Sequence, residues 1–156
     1  MLTEQEFNQA AQRYLDMVYR IALNCLRRPA DAEDAAQEAL VRLWRTETVF
    51  PAEEDLRYWL VRVTLNVCKD ISRSPWRRRT VPLESVRPPE LPGAENRELY
   101  WAVMDLPAKY RLPLYLYYYE GYTVREVGQL LGMKESTVQT QLARAREKLK
   151  RQLTEE

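Results

Sequence analysis

Histidine is missing altogether from this chain of 156 residues. Its absence removes a common zinc ligand and the side chain that most often serves as general base near neutral pH. Cysteine is almost as scarce. Cys25 and Cys68 stand far apart, each on an apolar helical stripe, so two buried free thiols are expected rather than a disulfide or a metal pair. The four glycines form no phosphate-cradling loop. No apolar run reaches bilayer-spanning length and no signal-peptide pattern opens the sequence, so no membrane insertion and a cytoplasmic location are expected. Neither an enzyme nor a bound cofactor or metal is expected from this inventory.

A strong charge imbalance is also missing. The formal net charge is +1, so no global field advertises a nucleic-acid partner. The distribution along the chain is less even. Lys69, Arg73, Arg77, Arg78 and Arg79 oppose only Asp70 in one stretch, and Lys134 to Arg151 is again strongly basic. Acidic residues gather instead in 31–38 and 47–55. Alternating basic and acidic segments suit more than one kind of partner.

The apolar period is helical almost throughout. Phe7, Ala11, Tyr14, Val18, Ile21 and Cys25 recur at four- and three-residue steps. Pro29 is expected to close that helix and Asp31 to cap the next. The inner face of that second helix reads as Ala35, Ala36, Ala39, Leu40, Leu43 and Trp44. Residues 46–55, with Pro51, read as a loop. Leu56, Trp59, Leu60, Val63, Val67 and Ile71 make a third stripe, and the three helices can share one core.

After Pro75 the text changes. Residues 76–95 carry Pro82, Pro88, Pro89, Pro92 and Gly93 and few periodic apolar positions, which reads as an extended linker. Helical period returns with Leu99, Val103 and Leu106, then with a segment from Pro107 to about Glu120 that holds a tyrosine run. Those tyrosines point in different directions on a helix, so some pack inward while others meet solvent or a partner. The predicted fold class is all-α: two small helical domains, 1–75 and 96–156, joined by the Pro-rich linker 76–95. No strand pair with hairpin chemistry and no internal repeat is present.

The last segment has the pattern of a helix-turn-helix. Thr123 and Glu126 form a capping box, Gly132 supplies a residue at which positive φ costs little, and Gly128 is a small residue inside the first helix, where it lets the second cross closely. Val138, Leu142, Ala145 and Leu149 make one inward stripe on the second helix. A helical hairpin with a solvated charged face is the plainer alternative. The cap, small residue, turn glycine and stripe in register favour DNA binding.

Three segments in this order resemble the bacterial sigma-70 family, in its short two-domain extracytoplasmic-function (ECF) group. Asp31 to Arg45 (DAEDAAQEALVRLWR) resembles the segment that docks on core RNA polymerase. Arg57 to Asn66 (RYWLVRVTLN) resembles the helix that opens and reads the −10 promoter element. Leu106 to Arg111 (LPAKYR), Tyr119 to Gly128 (YEGYTVREVG) and Thr137 to Leu149 (TVQTQLARAREKL) resemble the domain that reads the −35 element. The resemblance covers nearly the whole chain.

It implies a sigma factor whose partners are core RNA polymerase, promoter DNA and an anti-sigma protein. Asp34, Gln37, Glu38 and Arg42 share one helix face by spacing. By resemblance Asp34, Gln37, Glu38 and Arg42 bind core RNA polymerase, with Asp34, Gln37 and Glu38 on the clamp of its largest subunit. Arg62, Asn66, Lys69 and Arg73, with Trp76 and Arg77 beyond, fall on the −10 element, and the 46–55 loop corresponds to the flipped-base pocket. Trp59 reads mainly as core. Gln139, Thr140, Gln141, Ala143, Arg144 and Lys148 fall on the −35 element. Relatives more often carry basic residues where Gln139 and Gln141 stand, and two amides there suit adenine or a mixed readout. The same domain implies a contact with the flap of the second-largest subunit, which exposed tyrosines can serve. The linker, with Glu84, Glu90 and Glu95, would thread the polymerase or simply tether the domains. The rival readings are a stand-alone helix-turn-helix regulator and a helical adaptor that binds only protein.

Overall fold

The computed structural model describes residues 1–73 and 97–154, which form seven α-helices and no strand. The chain divides into two compact units, Met1–Pro89 and Glu90–Glu156. The linker positions 76–95 lie outside the described residues, as do Trp76, Arg77, Glu84, Glu90 and Glu95.

The first unit packs α1 (Glu4–Leu26), α2 (Pro29–Arg45) and α3 (Glu53–Ser72) against one another. Thr3 opens α1 with a capping box: its hydroxyl accepts from the Glu6 N–H at 3.1 Å and the Glu6 carboxylate accepts from the Thr3 N–H at 3.1 Å. The core closes on Val18, Ile21, Leu23, Leu43, Leu60 and Val61, all fully buried. Each such side chain contributes about 1.5–3 kcal/mol relative to exposure.

Several local expectations for this unit are corrected. Pro29 opens α2 rather than closing α1, since a missing N–H and a preset φ suit the first helical position. The preceding helix ends at Leu26 through Arg27, which takes a left-handed φ of 60°. Asp31 therefore falls inside the first turn of α2, buried, instead of capping it. The inner face of α2 is centred on Ala32, Ala35, Ala36, Ala39 and Leu43. Trp44 lies one position further around the helix and is 40% exposed, resting edge-on against Phe7 at 5.1 Å. The expected loop is shorter than read, because α3 begins at Glu53. Both cysteines are free, Cys68 buried and Cys25 half-buried.

The second unit contains α4 (Arg97–Asp105), α5 (Ala108–Tyr118), α6 (Val124–Leu131) and α7 (Glu135–Thr154). The Thr123–Glu126 capping box forms, with bonds of 3.0 and 3.1 Å, and Gly132 ends α6 at φ 68°. Val138, Leu142 and Ala145 are buried and Leu149 is half-buried, as the stripe requires. Gly128 has a different reason from the one expected. A Cβ there would stand 2.6 Å from the Met133 carbonyl oxygen of the turn, whereas Val138 on α7 would be an ordinary contact at 3.7 Å. The turn backbone, more than the crossing helix, excludes a side chain. Gly128→Ala is therefore expected to destabilise the unit by about 1–2 kcal/mol, an overpacking cost only partly offset by better helix propensity. Urea unfolding measures it, and an unchanged midpoint would refute the close approach.

Candidate polymerase and nucleic-acid interfaces

On α2, the small alanines face α1 and α3, so the polar residues are turned outward. Asp34, Gln37 and Glu38 are exposed together. Arg42 is half-buried and engaged internally: its Nε donates to Glu38 Oε1 at 3.2 Å, and its guanidinium lies 3.7 Å from Asp70 on α3. The acidic face is thus partly organised by a cation that ties two helices. Asp70 escapes a sequence reading because 28 positions separate it from Arg42. Beside this face lies a shallow apolar strip of Phe7, Leu40, Val41 and Trp44.

On α3, Leu56, Leu60, Val61, Thr64, Leu65, Val67 and Cys68 form the inward side. The Thr64 hydroxyl is satisfied there by donating to the Leu60 carbonyl at 2.7 Å. Arg62, Asn66, Lys69 and Arg73, spaced four, three and four apart, are all exposed and make one polar edge. Trp59 is half-buried and packs edge-on against Phe50 of the preceding loop at 5.6 Å, so it supports that loop. Between the loop and the start of α1 lies a cleft of about 400 Å³, lined by Gln9, Arg13, Thr48, Phe50 and Glu53 among others. Its wall is braced by Glu53, which accepts from the Tyr14 hydroxyl at 2.8 Å and pairs with Arg13. The Tyr14 hydrogen bond, with partial burial opposing it and Arg13 assisting, holds the Glu53 carboxyl below its ordinary range. Arg13 and Tyr14 lie about forty positions before Glu53, and nothing local in the sequence signals the link.

On α7, Gln139, Thr140, Ala143, Arg144 and Lys148 are exposed and contiguous. Thr140 spends its hydroxyl proton on the Ser136 carbonyl at 3.0 Å, so outward it offers an acceptor and a methyl. Gln141 differs. It stands three residues after Val138 and four before Ala145, both buried, and so belongs to the inner row. It is half-buried, and its Oε1 is enclosed without a hydrogen-bond partner. Arg146 donates to the Tyr118 hydroxyl at 2.7 Å, and Arg151 pairs with Glu147 at 2.7 Å.

The tyrosine run separates as helical geometry requires. Tyr115 is buried and donates to Glu120 at 2.7 Å, Tyr117 is half-buried, and Tyr118 and Tyr119 are exposed. Tyr115 and Tyr119 stack at 5.2 Å. Tyr110, earlier on α5, is buried under two ammonium groups, Lys109 at 5.0 Å and Lys148 at 5.5 Å from its ring centre. Burial pushes its hydroxyl up, but the Lys109 ammonium and the Arg144 guanidinium beside it prevail and hold it below the ordinary tyrosine value. Among the described residues no group of His, Cys, Asp and Glu side chains is arranged to hold a metal ion. No described helix is long and apolar enough to cross a membrane.

Two family models match the chain: Sigma-70 region 2 over residues 10–78 and Sigma-70, region 4 over residues 97–149. The ECF RNA polymerase sigma factor SigM of Mycobacterium tuberculosis is 31% identical over 150 residues, covering 94% of this chain and 76% of its own length. The ECF RNA polymerase sigma factor SigW of Bacillus subtilis is 25% identical over 174 residues, covering 96% and 90%. Among solved structures, the sigma factor RpoE of Bartonella quintana, in complex with the anti-sigma factor NepR, shares the fold at TM-score 0.79 and 20% identity, covering 96% of this chain and 98% of that one. CnrH, in complex with the cytosolic domain of CnrY, does so at TM-score 0.67 and 23% identity, covering 99% and 91%. With both regions matched in order and a relative aligned along nearly the whole chain, the protein belongs to the ECF group of the sigma-70 family of RNA polymerase sigma factors.

Proposed function

We propose that the chain joins core RNA polymerase, directs it to selected promoters and helps open the −10 region, through three polar faces carried by α2, α3 and α7. The carrying observation is that each helix buries one stripe in its own unit's core and leaves these residues outside it. Asp34, Gln37 and Glu38 meet the clamp of the largest polymerase subunit, and Arg42 orients Glu38 rather than making the contact itself. Arg62, Asn66, Lys69 and Arg73 track the opened −10 strand, where basic side chains follow phosphates and flat surfaces hold unstacked bases. Trp76 and Arg77, which follow in the sequence, bind the same element. The cleft beside the 46–52 loop receives a base.

Gln139, Thr140, Ala143 and Arg144 read the −35 element in the major groove and Lys148 grips phosphate. Gln141 acts from the inner row by setting the position of α7. Tyr118 and Tyr119 offer the flap of the second-largest subunit an apolar surface. Residues 1–75 and 96–156 form the two working domains and 76–95 the linker, a division that the spacing of the two family matches supports. The protein is cytoplasmic and has no catalytic chemistry of its own. The two solved neighbours named above are complexes with an anti-sigma factor and with a cytosolic partner domain, and an anti-sigma protein is proposed as the third partner here.

Run-off transcription with core polymerase on genomic DNA, followed by start-site mapping, tests this function. A defined set of transcripts that depends on the chain is expected, and none at all would overturn it. Failure to co-purify with core polymerase would favour the stand-alone regulator, and absence of salt-dependent DNA binding would favour the protein-only adaptor. Arg144→Ala is expected to weaken binding to the mapped promoter by about 1–3 kcal/mol at fixed salt. Unchanged promoter occupancy would refute a DNA role for Arg144.

A further inference from the structure

The −35 reading leaves Tyr110 and Lys109 unexplained. Tyr110 lies on α5, outside the recognition helix, yet ammonium groups from two helices lie over its ring. Lys109 lies on its own helix, while Lys148 comes from α7. The ring is 6% exposed, so the phenol is a fixed post and not a mobile surface group. Lys109, Arg144 and Lys148 are themselves exposed.

Two like charges gathered around one ring repel one another, and their own unit does little to neutralise them. Among the described residues no carboxylate forms an ion pair with either ammonium. The nearest candidate along α7, Glu147, is taken by Arg151 at 2.7 Å. The ring face offsets part of the repulsion through cation–π attraction, about 0.5–1 kcal/mol at an exposed site. The remainder is relieved by an anion. The cluster adjoins the Ala143–Arg144 face, where a reading helix is flanked by backbone phosphates.

We propose that Tyr110 is a positioning residue that gathers Lys109 and Lys148 into a single seat for a backbone phosphate of duplex DNA, beside the Arg144 that reads the −35 element. The seat extends the DNA footprint from α7 onto α5 through Lys109. Arg144 stands one helical turn before Lys148 on the same side of α7, so the seat and the reading residue share one edge. This inference rests on the −35 reading of the second unit.

The test uses holoenzyme reconstituted from the full chain and core polymerase, bound to the mapped promoter duplex over a salt series. Lys109→Gln removes one phosphate contact and is expected to flatten the plot of log affinity against log salt by about 0.9. Tyr110→Leu removes the ring that the two ammonium groups share, and a loss of about two- to fivefold in affinity is expected. In a cycle with Lys148→Gln, the combined loss is expected to fall short of the sum of the single losses, because the ring acts through that ammonium. A purely structural role for Tyr110 would give additive losses. Additivity, or an unchanged salt slope in Lys109→Gln, would overturn the phosphate seat while leaving the −35 reading intact. Salt-independent binding by the wild-type holoenzyme would instead bring down the −35 reading and the seat with it.

Discussion

Reversing the charges at Asp34 and Glu38 together is expected to lower affinity for core RNA polymerase by about 2–4 kcal/mol, roughly thirty- to a thousandfold. Both carboxylates are exposed on the outward side of α2, four residues apart, and neither contributes to the core formed by Ala32, Ala35, Ala36, Ala39 and Leu43. The cost to folding is therefore small. The Glu38–Arg42 pair is about half-exposed on both sides, and such an i,i+4 pair contributes about 0.3–0.5 kcal/mol. Arg42 retains Asp70 as a second partner. At an interface the reversed charges act differently, because they meet the partner's complementary potential and repel it. Circular dichroism should show unchanged helicity, while fluorescence anisotropy with labelled core polymerase should show the loss. Undiminished core binding by a folded double variant would sink the docking assignment of α2.

Arg111→Ala is expected to be the most damaging single substitution to stability in the second unit, by about 3–5 kcal/mol. Arg111 is 2% exposed. It donates to the Met104 carbonyl at 3.2 Å and to the Leu106 carbonyl at 2.6 Å. Those carbonyls belong to the end of α4, where the last turn has no intrahelical donors left. A cation at that end also answers the negative pole of the helix. Charge-assisted bonds of this kind are worth about 1.5–3 kcal/mol, and alanine would leave a cavity besides unpaired acceptors. A unit of this size holds only about 3–9 kcal/mol in total, so the loss approaches the whole of its stability. Hydrogen exchange on the full chain reads this directly. Amides of α4, α5 and α7 should lose protection while those of α1 to α3 keep theirs. Arg111→Lys, which keeps one donor and the charge, should fall between the two. Unchanged protection in α4 would contradict the capping role.

The residues bearing on function were legible to different degrees, and the difference has a physical cause. The Thr123–Glu126 box, the left-handed Gly132 and the Val138–Leu149 stripe follow from contacts within one or two helical turns, so the order of residues alone specifies them. The same holds for the exposure of Asp34, Gln37 and Glu38, and of Arg62, Asn66, Lys69 and Arg73, each of which is what remains after an apolar stripe is turned inward. The exceptions lie at stripe margins. Trp44 has the spacing of a core residue and stands at the rim, and Gln141, which the resemblance puts on the DNA-reading face, lies half-buried in the inner row, because which positions flank a stripe depends on where the neighbouring helix passes. The sequence marks Gly128 as a place for a small residue, but only the path of the turn shows that the Met133 carbonyl is what requires it.

By itself, then, the sequence determined an all-α chain, the order of its helices, the three motif segments and the family they mark, since periodicity, capping and motif spacing are encoded over short separations. Tertiary structure alone decided which distant side chains share a site. Arg42 meets Asp70, Arg13 and Tyr14 meet Glu53, Arg146 meets Tyr118, and Lys148 meets Tyr110. Each link joins different helices, and its geometry is set by how those helices pack, which no local spacing along the chain records.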